Sequence, residues 1–211
     1  MKIKVCGIRT KSNLEFLSAQ EVDFVGFIFY SKSKRNFENG ELGITEVADC
    51  GKHTVGVFVN ESAETIKQIV AAYQLDYVQM HGDETPGFCE SLKLEGIKII
   101  KAFSVIDQLP QNLGAYEPYV DYFLFDTKGQ SYGGNGVQFN WQLLGQYVGE
   151  TPFFLSGGIG PEDVDKVTQM DHPGLVAIDV NSCFESAPGL KDEDLLRKFI
   201  DEFKRKERDG N

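Results

Sequence analysis

The segment P-F-F-L-S-G-G-I-G-P-E-D-V (152–164), followed after a connection by L-V-A-I-D-V-N-S (175–182), decides the fold. Residues 153–155 and 176–178 are apolar runs of strand length, each ending in small or polar residues. Between them, Gly160-Pro161-Glu162-Asp163 has the chemistry of a helix start: proline at the first helical position and acids beside the positive end of the dipole. Strand, helix, strand makes a βαβ unit, whose strands run parallel. Gly157 and Gly158 carry no Cβ, so the backbone there can approach a ligand closely. Adjacent N–H groups at such a turn form an anion site. An ordinary strand-to-helix turn accounts for a lone S-G-G. The argument for a ligand comes from the second strand, which ends in Asp179-Val180-Asn181-Ser182 instead of a glycine or proline stop. The unit reads as a phosphate site spanning the ends of two neighbouring strands.

Outward from this unit the same alternation repeats. Strands are expected at 2–6, 24–30, 53–59, 77–80, 97–103 and 122–125, upstream of the two already placed. The run F-V-G-F-I-F-Y (24–30) has the composition of a strand buried on both faces. Helices are expected at 13–19, capped by Thr10 or Ser12, briefly within 41–50, from Asn60-Glu61-Ser62 through Tyr73, at 85–93, and around 141–145. An amphipathic helix over 191–206, with Leu195, Leu196, Phe199, Ile200 and Phe203 on one face, closes the chain. Segment 104–119 contains Pro110 and Pro118 and reads as a poor helix or a loop. Eight strands, each followed by a helix or a loop in its place, imply a parallel sheet. Eight such units in roughly 200 residues is the lower size limit of a closed (β/α)₈ barrel. A doubly wound open sheet competes, but Cys6-Gly7-Ile8-Arg9 is not the G-x-G-x-x-G turn that would favour it. The domain is expected to cover 1–206, with 207–211 a frayed tail.

The chain has 211 residues, 41% apolar and 25% charged, with a formal net charge of −11. That charge argues against nucleic acid or an anionic membrane as partner, and not against a small anionic substrate in a pocket. No apolar run has the length of a membrane span, and residues 1–5 have no signal-peptide core, so a cytoplasmic protein is expected. Cys6, Cys50, Cys89 and Cys183 form no C-x-x-C pair and no zinc-ligand spacing with His53, His81 or His172. Neither a disulfide framework nor a metal is expected.

In a barrel the active site lies on the loops after the strands. The residues there are Cys6, the loop holding Arg35, His81, Asp126 with Lys128, Gly157-Gly158, and Asp179, Asn181 and Ser182. A core position is the common fate of a cysteine. At the mouth, Cys6 as thiolate can take a proton from carbon, given positive charge nearby. Asp126 either pairs with Lys128 or, as an acid, protonates an oxygen. Arg35 is either a solvated loop charge or a fork for a carboxylate. His81 either caps its loop or lines the pocket, and 129–136 is a linker or a lid. One acid and one base suit a proton-shuttling isomerase, which needs no redox cofactor.

At these residues the chain resembles the phosphoribosylanthranilate isomerase family. The matching segments are K-V-C-G-I-R-T (4–10), V-G-F-I-F-Y-S-K-S-K-R (25–35), V-Q-M-H-G-D-E (78–84), F-D-T-K-G-Q-S-Y-G-G-N-G (125–136), L-S-G-G-I-G-P-E-D-V (155–164), A-I-D-V-N-S (177–182) and F-E-S-A-P-G-L-K-D (184–192). They run from one end of the chain to the other in the family's order. The resemblance implies a single (β/α)₈ barrel, no cofactor, a small phosphosugar substrate, and a monomer or homodimer. It implies an Amadori rearrangement in tryptophan biosynthesis, with Asp126 as general acid and Cys6 as general base. It further implies Arg35 on the anthranilate carboxylate, and Gly157, Gly158 and the turn Asp179, Asn181, Ser182 on the phosphate; His81 matches a pocket position. Ser31 and Lys34 stand where many members have prolines, which implies a less rigid Arg35 loop. Cys183 stands where glycine is common. Related phosphosugar barrels, such as the ProFAR isomerase or indole-glycerol-phosphate synthase, are the nearest alternatives, and the former calls for an aspartate where Cys6 stands. A noncatalytic phosphate-binding barrel would lack the acid or the base, and both are present.

Overall fold

The computed structural model describes residues 1–127 and 138–209; the glycine-rich stretch 129–136 and Lys128 lie outside the described residues. Eight parallel strands close into a barrel in sequence order: β1 (Lys2–Cys6), β2 (Phe24–Ile28), β3 (His53–Phe58), β4 (Tyr77–Met80), β5 (Ile99–Val105), β6 (Tyr122–Thr127), β7 (Phe153–Leu155) and β8 (Leu175–Val180). The last strand returns to the first with Lys2 opposite Ala177 and Lys4 opposite Asp179. Closure leaves no unpaired edge, and the pleat sends alternate side chains inward and outward. The outward set, including Ile3, Val25, Phe27, Val78, Phe123, Phe125 and Ile178, packs under the helices. The inward set near the strand starts, including Phe24, Val55, Tyr77, Ile100, Leu124, Phe154 and Ala177, fills the barrel.

The helices are α1 (Lys11–Ser18), α2 (Ile44–Ala48), α3 (Ala63–Tyr73), α4 (Pro86–Leu94), α5 (Val164–Thr168) and α6 (Glu193–Asp209). Thr10, Ser62 and Thr85 cap α1, α3 and α4, each hydroxyl accepting from the backbone N–H three residues on. Leu196, Phe199, Ile200 and Phe203 bury the apolar face of α6.

The connection read as a poor helix or a loop takes a definite form, and other expectations need correction. Between β5 and β6 there are two 3₁₀ turns, Leu113–Ala115 and Glu117–Tyr119; Pro118 occupies the second and cannot donate to an α-helical ladder. Between β6 and β7 the expected short helix is a 3₁₀ turn, Trp141–Gln146. The closing helix begins at Glu193, because Asp192 accepts from the Leu195 N–H at 3.0 Å and caps it. Lys191 is left to a hairpin formed by β9 (Glu185–Ala187) and β10 (Leu190–Lys191), which pairs antiparallel above the mouth after β8. At its other end α6 runs to Asp209, into the stretch expected to fray, and Glu207 is paired with the Met1 ammonium. No helix among the described residues is long and apolar enough to cross a membrane.

Candidate active site

The sequence-expected site residues come from six different strand ends, and the barrel brings all nine to one place. Cys6, Arg35, His81, Asp126, Gly157, Gly158, Asp179, Asn181 and Ser182 all line one cavity that opens at the carboxyl ends of the strands. Cys6 ends β1, Asp126 is the penultimate residue of β6, and Asp179 the penultimate residue of β8. By pleat parity each is two residues beyond an inward position lower in the barrel: Lys4, Leu124 and Ala177.

Asp126 is held from two sides. Its Oδ1 accepts from the Thr127 N–H at 2.9 Å and its Oδ2 lies 3.2 Å from His81 Nε2. The other ring nitrogen, Nδ1, is 2.7 Å from Gln79 Nε2. With the Gln79 amide in this orientation it donates to Nδ1, so the His81 proton is on Nε2 and points at Asp126. Turned end for end, the amide oxygen accepts from Nδ1–H instead, and His81 can carry a proton on both nitrogens.

Beneath Cys6 lies a buried ion pair: Lys4 Nζ donates to Asp179 Oδ2 at 2.9 Å, and the lysine is completely enclosed. Burial pushes the Cys6 thiol above its ordinary pKa; the Lys4 charge opposes this, Asp179 reinforces it, and the Lys191 charge opposes it more weakly. Burial also raises the Asp179 carboxyl, against the pull of Lys4. Burial draws the Lys4 ammonium down, but Asp179 and Cys6 facing it outweigh that and leave it raised. Asp179 Oδ1 and Gln79 Oε1 are buried without a hydrogen-bond partner among the described residues. Both residues line the cavity.

Gly157 and Gly158 both take positive φ, +91° and +71°. A Cβ on Gly157 would sit 3.0 Å from Asp126 Oδ1, so only glycine lets this turn close against the end of β6. The turn's exit is fixed by the enclosed Asp163, which accepts from the Gly160 N–H at 2.9 Å. Across the cleft, the Asn181–Ser182 turn leads into a short 3₁₀ segment, Ser182–Phe184, so Cys183 is accommodated without a positive φ. Among the described residues the N–H groups of Gly157, Gly158 and Ser182 find no acceptor. These three donors and the cavity they border suit an anion.

Arg35 is fixed despite Ser31 and Lys34 in its loop. Its Nε lies 2.9 Å from both carboxylate oxygens of Glu185, and its Nη2 donates to Glu185 Oε2 at 2.7 Å. The carboxylate on Arg35 in this structure is therefore the protein's own, supplied by β9. Glu185 stays below the ordinary carboxylate range: burial pushes its pKa up, but the Arg35 hydrogen bonds and the Lys191 charge outweigh it.

Sequence reasoning missed Lys4, Gln79, Glu185 and Lys191. For Lys4 and Gln79 a signal exists. In K-I-K-V-C, Lys4 shares the pleat face of Cys6, and in Y-V-Q-M-H, Gln79 shares that of His81. A polar residue on the inward face of an otherwise apolar strand has to have a partner. Glu185 and Lys191 carry no such mark, because they lie on strands of three and two residues.

Fold and site together define the class: an enzyme of the (β/α)₈-barrel type, with its polar groups gathered on one cavity at the carboxyl ends of the strands. Within it, the chain belongs to the N-(5'-phosphoribosyl)anthranilate isomerase family, whose model matches residues 3–202. An isomerase of that name from Parabacteroides distasonis is 44% identical over 95% of this chain and 92% of its own length. Monomers of the dimeric Thermotoga maritima phosphoribosylanthranilate isomerase are 31% identical, with a TM-score of 0.78 over 97% of this chain and 99% of that one. A further isomerase structure, solved with reduced 1-(o-carboxyphenylamino)-1-deoxyribulose 5-phosphate, is 31% identical with a TM-score of 0.74 at the same coverage.

Proposed function

We propose that this chain converts N-(5-phosphoribosyl)anthranilate to 1-(2-carboxyphenylamino)-1-deoxyribulose 5-phosphate, an isomerisation step of tryptophan biosynthesis, by general acid–base catalysis in the cytoplasm. The observation that carries the reading is a thiol on β1 and a carboxyl group on β6 facing one cavity, with an arginine and a double-glycine turn also lining it. Asp126, protonated, gives its proton to the furanose ring oxygen. The C1′–O bond breaks, and the nitrogen lone pair forms the iminium. The Cys6 thiolate takes the C2′ proton, and those electrons form the C1′–C2′ double bond of an enolamine, which tautomerises to the ketone. His81 can return a proton to Asp126 across their 3.2 Å contact.

Arg35 takes the anthranilate carboxylate through the guanidinium N–H groups that Glu185 leaves open. Gly157, Gly158, Asn181 and Ser182 take the phosphate through backbone donors. Asp179 belongs below Cys6, paired with Lys4, more than on the phosphate. Lys4 and Lys191 supply the positive charge that favours the thiolate against burial. No cofactor has a step in this scheme, and a monomer or a homodimer suffices for it, since every group comes from one chain. The test is to follow the loss of substrate fluorescence after mixing with the purified protein. Turnover is expected without added cofactor, and a substrate lost no faster than in buffer overturns the proposal.

A further inference from the structure

A single buried ammonium joins the two ends of this site. Lys191 is 3% exposed; its Nζ donates to Asn181 Oδ1 at 2.7 Å, to the Asn181 carbonyl at 3.2 Å and to Glu185 Oε1 at 2.8 Å. Glu185 in turn holds the Arg35 fork. The backbone of Lys191 is itself anchored: its N–H donates to Asn13 Oδ1 at 2.8 Å and its carbonyl accepts from Asn13 Nδ2 at 3.3 Å. Gly7, at φ +77°, fills the space between the two ends, where a Cβ would lie 2.9 Å from Asn181 Oδ1 and 3.0 Å from Arg35 Cδ. Arginine, glycine, asparagine and lysine are thus packed with no room for slack.

We propose that Lys191 is a positioning residue: through Glu185 and Asn181 it sets the spacing between the Arg35 fork and the turn after β8. The inference rests on the function proposed above, in which those two elements take the two anionic groups of one substrate. A buried ion pair is weak as a source of stability, because apolar replacements often hold a fold as well. What apolar replacements do not supply is a fixed distance between two charged ends. Misplacement of a binding group by an ångström has a large effect on a ligand that must meet both. Burial pulls the Lys191 ammonium below its ordinary pKa, with Glu185 opposing.

The experiment is calorimetric binding of two ligands to full-length Lys191→Met. One is reduced 1-(2-carboxyphenylamino)-1-deoxyribulose 5-phosphate; the other is the same molecule without its carboxyl group. In the variant Glu185 and Arg35 still neutralise each other, so the fold is expected to persist. The Kd of the carboxylate ligand should rise about 10-fold or more, and that of the phenyl ligand by clearly less, so discrimination between them falls. In turnover, KM should rise more than kcat falls. Unchanged Kd values, or equal losses for both ligands, overturn the inference, as does a lowered melting temperature with binding intact. If Lys191→Met does not fold, Lys191→Gln, which keeps N–H donors, is read by the same criteria. A wild-type protein that binds neither ligand sinks the proposed function and this inference together. One that binds both, with a variant that binds as well, sinks only the inference.

Discussion

The barrel interior has two floors built on the same strands. At the strand starts Phe24, Tyr77, Tyr122 and Phe154 form a closed circuit of ring contacts, with centroids 5.7, 6.0, 5.1 and 5.2 Å apart in turn. One or two inward positions further along stand Cys6, Gln79, His81, Asp126 and Asp179. Below, the rings pack on one another and on His53. Above, His81, Gln79, Asp126 and Asp179 are held by hydrogen bonds to one another or to Lys4, while Gln79 Oε1 and Asp179 Oδ1 have no partner among the described residues. The pleat makes the division sharp, since two residues along a strand is a rise of about 6.6 Å. Stability and chemistry are thus separable by position on one strand, and substitutions on each floor test that separation.

The largest expected effect is on the lower floor. Phe154→Ala removes a fully buried ring that touches Phe24 and Tyr122, and should reduce unfolding free energy by about 3–5 kcal/mol in urea denaturation. Activity per folded molecule should stay near wild type. A stable Phe154→Ala protein with little turnover would mean that the plug shapes the site, and the two floors would not be separable.

On the upper floor the signs reverse. Cys6→Ala and Asp126→Asn should each lower kcat by at least ~10²-fold, the range of lost acid–base catalysis, while the melting temperature moves little. Steady-state kinetics with a thermal melt on the same samples reads both. Near-wild-type turnover in either variant removes that residue from the proposed mechanism.

The lower floor was legible in the sequence because it is made of the apolar runs that mark strands. The strand ends on the upper floor were legible for the same reason, since a run that stops at Cys6, His81, Asp126 or Asp179 announces what stands at the mouth. The side chains that hold those groups were harder to see. Lys4 and Gln79 interrupt apolar strands and are visible only once pleat parity is applied. Arg35 was expected to be loosely held because its loop lacks prolines, but its rigidity comes from Glu185, 150 positions away in sequence. Lys191 looked like the first turn of the closing helix, since a two-residue strand leaves no periodic pattern. The two connections that formed 3₁₀ turns share one physical origin, namely short segments without a full apolar stripe, one of them interrupted by proline.

The subtlest effect concerns how the upper floor tunes its own thiol. Burial raises Cys6, and the charged groups facing it are Lys4, Asp179 and Lys191. Iodoacetamide reacts with the thiolate, so the rate of Cys6 alkylation should climb with pH to a midpoint above the ordinary thiol value. Peptide mapping separates it from Cys50, Cys89 and Cys183. A thiol raised by folding favours the protonated native state. Its contribution to stability is whole below the unfolded thiol's pKa and is lost as pH rises through the folded one. Lys4→Met removes a cation and leaves Asp179 unpaired, and both changes disfavour the thiolate, so the midpoint should move up. Asp179→Asn removes a neighbouring anion and keeps Lys4, so the midpoint should move down. Opposite shifts from the two halves of one ion pair cannot come from a loosened fold, which would expose the thiol and move both midpoints toward the ordinary value. If both variants move the same way, the pair beneath Cys6 belongs with the plug below it, and the boundary between the two floors lies higher than Lys4.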